Sequence, residues 1–203
     1  PVALRQRVLA LYQEHYEGFG PTLASEKLAQ REGLSVNRQT LRRWLIAGNL
    51  WWVGVPGRTH RTKRPRREHF GEMLQIDGSD NTWFEQRHPR CVLMVLVDDA
   101  TGRVALHMAA GETTEDALLV LRKWVKAYGV PVSIYADRRS TYFTEDYLYE
   151  PERRKDPAVF TDFMKATDRL NIEMIPAYSP QAKGRVERAN GTLQDRLVKE
   201  LRL

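Results

Sequence analysis

The order in which strand-like and helix-like periods follow one another from Met73 onward constrains this chain more than any other feature. MLQID, Met73 to Asp77, reads as a short apolar strand ending in an acid, and the polar excursion GSDNTWFEQRHPR separates it from the next. CVLMVLVDDATGR, Cys91 to Arg103, is a nearly continuous apolar run closed by a turn signal, and Val104 to Ala109 completes a meander. Asp98 and Asp99 fall at that turn, which accounts for them. ETTEDALLVLRKWVKAYG spaces its apolar residues for a helix, acidic at the start, basic near the end and closed by Gly129. Val132 to Asp137 predicts a fourth strand, again ending in an acid. The polar loop Arg138 to Asp156 leads to a helix with Val159, Phe160, Phe163 and Met164, and Ile172 to Ala177 makes a fifth strand. One more helix follows, so the class is α/β.

That last helix is the stretch Ser179 to Leu197, SPQAKGRVERANGTLQDRL. Ser179 suits the N-cap and Pro180 the first helical position, where a missing N–H costs nothing. Val186, Ala189, Leu193 and Leu197 recur at steps of three and four, giving one apolar stripe. On another face, Glu187 is flanked by Lys183, Gly184, Asn190 and Gly191. Two interior glycines each cost roughly 1 kcal/mol relative to alanine, which close approach of a ligand or another chain would explain. Helix physics alone equally allows a solvated face on which Glu187 pairs with Lys183.

Residues 1–50 read as small and helical. Leu4, Val8, Leu9, Leu11 and Tyr12 make an amphipathic first helix, which GFGP, Gly18 to Pro21, breaks. A second helix carries Leu23, Leu28 and Ala29 and ends near Gly33. Ser35 or Asn37 caps a third, whose Leu41, Trp44 and Leu45 face inward while Arg38, Gln39, Arg42 and Arg43 project. Two short helices joined by a glycine-containing turn, the second rich in arginine and amide groups, form the helix-turn-helix pattern, and such side chains read base edges in the major groove. A plain three-helix bundle satisfies the same spacing. Residues 51–72 have neither period. Arg58, Arg61, Lys63, Arg64, Arg66 and Arg67 crowd this linker, which predicts an extended segment that follows a DNA backbone or simply solubilises. Trp51 and Trp52 are too apolar for a free linker and should dock on a domain.

Charge and cysteine content narrow the partners. Among 203 residues, 32 Lys and Arg against 26 Asp and Glu leave a net charge of +6, which suits a polyanion. Cys91 stands alone, so no disulfide framework exists, and the five histidines lack zinc-type pairing with cysteine. No apolar run is long enough to span a bilayer, which points to the cytoplasm.

The Ser179 to Leu197 stretch resembles the SPQxxGxxERxNxTLxxxL signature that carries the last acid of DDE transposases and retroviral-type integrases. GRVERANGTLQDRLVKELRL is similar to the ISNCY group of bacterial insertion-sequence transposases. The resemblance implies an RNase H-like core, a three-stranded meander plus two parallel strands with flanking helices, spanning 73–203 after the helix-turn-helix domain 1–50 and the basic linker 51–72. It implies that Asp77, Asp137 and Glu187 are the catalytic and metal-binding acids, holding two Mg²⁺ or Mn²⁺ ions roughly 4 Å apart. Lys183, Arg185 and Asn190 then join the DNA-contacting residues. Water attack would expose a DNA 3′-hydroxyl at an element end, and that hydroxyl would attack target DNA. The implied partner is double-stranded DNA, held by a homodimer or higher oligomer. Two departures mark this chain: Arg138 and Arg139 replace a frequent Asn-Gly after the second aspartate, and the interval from Asp137 to Glu187 is longer than in the best-known group, as an insertion at Thr144 to Lys155 would produce. A helix-turn-helix regulator with an inert core is the competing reading, and an RNA-cleaving nuclease a third that leaves the amino-terminal helices unexplained.

Overall fold

The computed structural model describes residues 2–52, 65–178 and 183–203. The chain divides into two compact units, one of residues 1–60 together with Lys199–Leu203, the other Arg61–Val198. In the larger unit five strands form one mixed sheet: β1 (Met73–Asn81), β2 (Cys91–Asp98), β3 (Val104–Ala109), β4 (Ser133–Ala136) and β5 (Glu173–Pro176), in the order β3-β2-β1-β4-β5. β1 to β3 pair antiparallel, and β4 and β5 add in parallel beyond β1. The interior position of β2 explains the uninterrupted apolar run, because every one of its residues is buried. Val92, Met94 and Leu96 face one core with Trp124, Phe163 and Ile134, while Cys91, Leu93, Val95 and Val97 face another with Trp83 and Val186.

The helices that cover these faces begin where the sequence supplies caps. In chain order they are α1 (Val2–His15), α2 (Pro21–Glu32), α3 (Arg38–Ala47), α4 (Thr114–Tyr128), α5 (Glu145–Tyr149), α6 (Asp162–Arg169) and α7 (Gly184–Glu200). The Thr113 and Thr161 side chains accept from the backbone N–H groups of Asp116 and Met164, starting α4 and α6 on the first face. The stripe Val186, Ala189, Leu193 and Leu197 seats α7 on the second. The expected opening of that helix at Ser179 and Pro180 lies outside the described residues.

Three sequence expectations change. β1 runs on to Asn81 instead of stopping at Asp77, because Gly78 to Asn81 continue the ladder opposite Cys91 to Met94. Asp77 therefore lies within the strand, just past the last parallel pair, Gln75 with Tyr135. The Thr144 to Lys155 segment carries the short helix α5 and a 3₁₀ turn at Pro151–Arg153, with the Arg154 guanidinium donating to the carbonyls of Tyr147 and Leu148. Trp51 packs on the helical unit, whereas Trp52 remains 83% exposed.

The amino-terminal unit is a small all-helical domain. Val8, Tyr12, Phe19, Leu28, Leu41 and Leu45 make its core, Gly33 ends α2 in the left-handed region at φ 65°, and the Asn37 side chain caps α3 by accepting from Gln39 N–H. The buried Tyr16 hydroxyl donates to Glu32 at 2.8 Å. Burial, then this bond, pushes the Tyr16 pKa up to about 12. Below the ordinary value of 10.0 the tyrosine is protonated whether the chain is folded or not. As pH climbs from there towards about 12, only the unfolded chain ionises, so Tyr16 withdraws its stabilisation across that window. Urea unfolding across this range should show stability falling less steeply in Tyr16→Phe than in the parent, and parallel slopes would contradict the assignment.

Candidate active site

Strand register brings two of the three expected acids together. β1 and β4 pair Met73 with Ser133, Leu74 with Ile134 and Gln75 with Tyr135, and the same register continued sets Asp77 beside Asp137 where the two strands part. The Lys183 ammonium lies 2.7 Å from Asp77 Oδ1 and 3.7 Å from Asp137 Oδ2, so both carboxylates close on one cation position. Lys183 is only 14% exposed, which strengthens these pairs relative to ion pairs in open solvent.

α7 supplies the other side. Asn190 Nδ2 donates to Asp77 Oδ2 at 2.9 Å, and Gln194 Nε2 to Ser79 Oγ at 2.8 Å. Glu187 sits one turn after Lys183 and one before Asn190, and it is exposed. Among the described residues no three His, Cys, Asp or Glu side chains converge tightly enough to hold a metal. A third carboxylate brought to Asp77 and Asp137 would meet like charge, which Lys183 and Arg139 beside them offset in part.

Sequence reasoning missed a further acid. The Glu112 side chain, 11% exposed, lies against the backbone of Gly78, the residue after Asp77, so closely that a Cβ there would be 2.5 Å from its Oε2. Tyr142 donates its hydroxyl to Glu112 Oε1 at 3.3 Å, and the Arg139 guanidinium pairs with Glu112 and, at 2.9 Å, with Asp137 Oδ2. Burial raises the Glu112 pKa, Arg139 opposes the shift, and the charges of Asp137 and Asp77 add to it. Burial and the same carboxylates push the Tyr142 hydroxyl far up, leaving it a hydrogen-bond donor. A glycine directly after a strand acid was the available signal, since glycine inside a strand marks close approach.

The helix start carrying Glu187 is tied to the sheet by buried polar groups. Val186 N–H donates to Gln75 Oε1 at 3.1 Å, and Gln75 Nε2 donates to Asp99 Oδ1 at 2.9 Å. Asp99 also accepts from Arg67 N–H at 2.8 Å and has Arg185 Nε 3.9 Å away. Asp98, by contrast, takes the expected turn role, accepting from Thr101.

The residues expected to contact DNA divide into three groups. Arg38, Gln39 and Arg42 line a cleft of about 350 Å³ with Trp51 and Trp52, and Arg43 is exposed on the same helix. Arg66 and Arg67 are held on the core, donating to Ala100 O and Glu72 respectively. Lys183, Arg185 and Asn190 face Asp77 or Asp99. Arg58, Arg61, Lys63 and Arg64 lie outside the described residues. Of the two loop arginines, Arg139 joins the acids and Arg138 stacks over the Tyr178 ring. Among the described residues, nothing outside their own helix backbone and chain neighbours lies within 4 Å of a Cβ position at Gly184 or Gly191, so packing among those residues does not account for them.

The oxygen chemistry fits a hard divalent cation: two carboxylates already share one positive group, and Asn190 Oδ1, in a residue 8% exposed, is buried without a hydrogen-bond partner among the described residues.

A mixed sheet in this order, with acids where its central strands part, is an RNase H-like core of the integrase type. A chain of the simian T-cell lymphotropic virus intasome shares the fold, with a TM-score of 0.50 at 20% identity, covering 78% of this chain and 51% of that one. A protein of Sinorhizobium fredii provisionally named transposase y4bF is 44% identical over 201 residues, 98% of this chain and 43% of the relative. The transposase for insertion sequence IS1202 of Streptococcus pneumoniae is 28% identical over 238 residues, 99% of this chain and 50% of the relative. The chain thus spans about half the length of the curated relatives it matches. No protein-family model matches it. The similarity to these two transposase-named proteins extends over nearly the whole chain. Among the described residues no helix is long and apolar enough to cross a membrane.

Proposed function

We propose that this chain is the DNA-binding and catalytic part of an insertion-sequence transposase, a polynucleotidyl transferase that cuts at element ends and joins the exposed 3′-hydroxyl to target DNA. The observation that carries this reading is the single ammonium shared by Asp77 and Asp137 at the parting of two strands, in a chain 44% identical to a transposase-named protein. Asp77, Asp137, Glu187 and the oxygen of Asn190 would hold divalent cations, Mg²⁺ or Mn²⁺, two in the full site. Such ions, when bound, supply charge neutralisation at phosphorus and an acidified attacking oxygen.

The chain's own side chains do the rest. Asp77 and Asp137 are held in place by Lys183, Asn190 and Arg139, so little reorganisation remains when substrate arrives. Gly184 and Gly191, with no packed side chain of the described residues where their own would stand, would allow a phosphate backbone to approach the Glu187 face. Arg38, Gln39, Arg42 and Arg43 would read the duplex from a helix-turn-helix arrangement, with Trp52 as an exposed stacking surface and the basic residues of 51–72 following the phosphates. Two ends must be held together before joining, so a homodimer or larger assembly on double-stranded DNA is the expected active form.

A DNA-binding regulator with an inert core is the second reading, favoured by the exposure of Glu187 and by Lys183 lying between the aspartates. Labelled DNA carrying candidate element ends separates the two when incubated with the full-length protein in Mg²⁺, Mn²⁺ or chelator. Nicking and joining only with metal is the expected result. Binding of the ends without cleavage under any metal condition would establish the regulator instead.

A further inference from the structure

We propose that Glu112 is a positioning residue of the acid site that acts through Arg139, serving as the second anchor for a guanidinium that otherwise rests on Asp137. This rests on the metal-binding reading of Asp77 and Asp137. Glu112 precedes Thr113, the cap of α4, and its carboxylate is pressed on the Gly78 backbone with the Tyr142 hydroxyl donating from the other side. It lies far from Glu187 in sequence, and its place beside the acids comes from the sheet, not from the signature. One guanidinium bridges it to Asp137: Arg139 pairs with Glu112, reaches Asp137 Oδ2 at 2.9 Å through Nε, and donates its backbone N–H to Asp137 Oδ1 at 3.4 Å.

This bridge sets the terms on which a cation reaches Asp137. A divalent ion must share or displace the guanidinium there. With Glu112 ionised, Arg139, whose side chain is 57% exposed, can leave Asp137 and keep an anionic partner. Without that second anchor Arg139 has Asp137 as its remaining carboxylate and competes with the metal at full strength. Glu112 would then favour metal loading without itself holding the metal, as partners of ligating carboxylates do.

The test is Mn²⁺ affinity, followed by electron paramagnetic resonance on metal-stripped protein, which needs no DNA and no turnover. Glu112→Gln, which keeps the size and the Tyr142 contact, should weaken binding about tenfold. Arg139→Gln should tighten it several-fold. In the Arg139→Gln background, Glu112→Gln should have less than about a twofold effect, because the route through the guanidinium is gone. Arg139→Lys gives an independent check: it lacks the rigid fork by which the guanidinium holds Glu112 through Nη1 and Asp137 through Nε, so the effect of Glu112→Gln should shrink there too. Equal weakening by Glu112→Gln in all three backgrounds would show that its charge acts through space and would overturn the proposal while leaving the metal site intact. Binding that does not depend on Asp77 in the parent chain would overturn the metal reading and this proposal together.

Discussion

Asp77→Ala is expected to slow DNA end cleavage and strand joining by on the order of 10³-fold, because several kcal/mol of charge stabilisation at phosphorus is lost with the carboxylate and each 1.4 kcal/mol is about a factor of ten. The same change frees Lys183 Nζ and Asn190 Nδ2, both of which now spend a bond on Asp77. DNA affinity should therefore hold or rise, since one negative charge disappears beside the cationic face of α7. Single-turnover cleavage with Mg²⁺ and binding measured by anisotropy give the two readouts. Asp77→Asn distinguishes loss of charge from loss of shape: its one amide oxygen can accept from Lys183 and its N–H can donate to Asn190 Oδ1 once that amide turns over, so it should be nearly as inactive while staying close to the parent in stability. A variant that cleaves within threefold of the parent would remove Asp77 from the chemistry.

Gln75→Leu should cost about 2–4 kcal/mol of stability, the penalty for taking one hydrogen bond from a buried carboxylate that keeps Arg67 N–H and Arg185 beside it, and the acceptor from the buried Val186 N–H. Gln75 and Asp99 are both fully buried, and the amide between them links Asp99 Oδ1 to the first turn of α7 through Val186. Gln75→Glu alone sets two carboxylates face to face and should be equally damaging. Combining it with Asp99→Asn exchanges donor and acceptor, since the introduced amide can donate to the introduced carboxylate while its oxygen still accepts from Arg67. The double variant should recover most of the loss in urea unfolding. A cost below about 1 kcal/mol for Gln75→Leu would mean that water or Arg185 replaces the amide, and that α7 is held by its apolar stripe alone.

Much of this architecture was legible because β2 and the helix stripes are written in apolar periods. The stripe Val186, Ala189, Leu193, Leu197 lies on the sheet as its spacing requires, and Asn37 and Gly33 cap their helices through local chemistry. What escaped was set by pairing across the chain. GSDN looks like a loop by composition, yet the ladder to β2 makes it strand, and Trp83 in the same polar excursion is buried with its Nε1 donating to Ser79 O. Asp98 and Asp99 read as one turn feature, but successive residues leave a strand in opposite directions, so Asp98 serves the turn and Asp99 faces the interior. The acid at the start of α4 had a sufficient local explanation in the helix dipole, which concealed the tertiary role of Glu112. Asp77 and Asp137 were visible as strand-associated acids; that they share Lys183 follows only from the register of β1 on β4.

The partners of Asp77 come from residues 106 and 113 positions later, and Ser79 waits for one 115 positions later. Closing a loop of that length costs about 4 kcal/mol of chain entropy before any contact offsets it, so these bonds belong to the last stage of folding. While the polypeptide is still being synthesised, the meander can form as soon as β3 has emerged, but the Lys183 and Asn190 bonds to Asp77 wait until the residues of α7 follow. On the proposed reading, an interrupted translation product ending before α7 would be left with a folded sheet and an unfinished set of ligands.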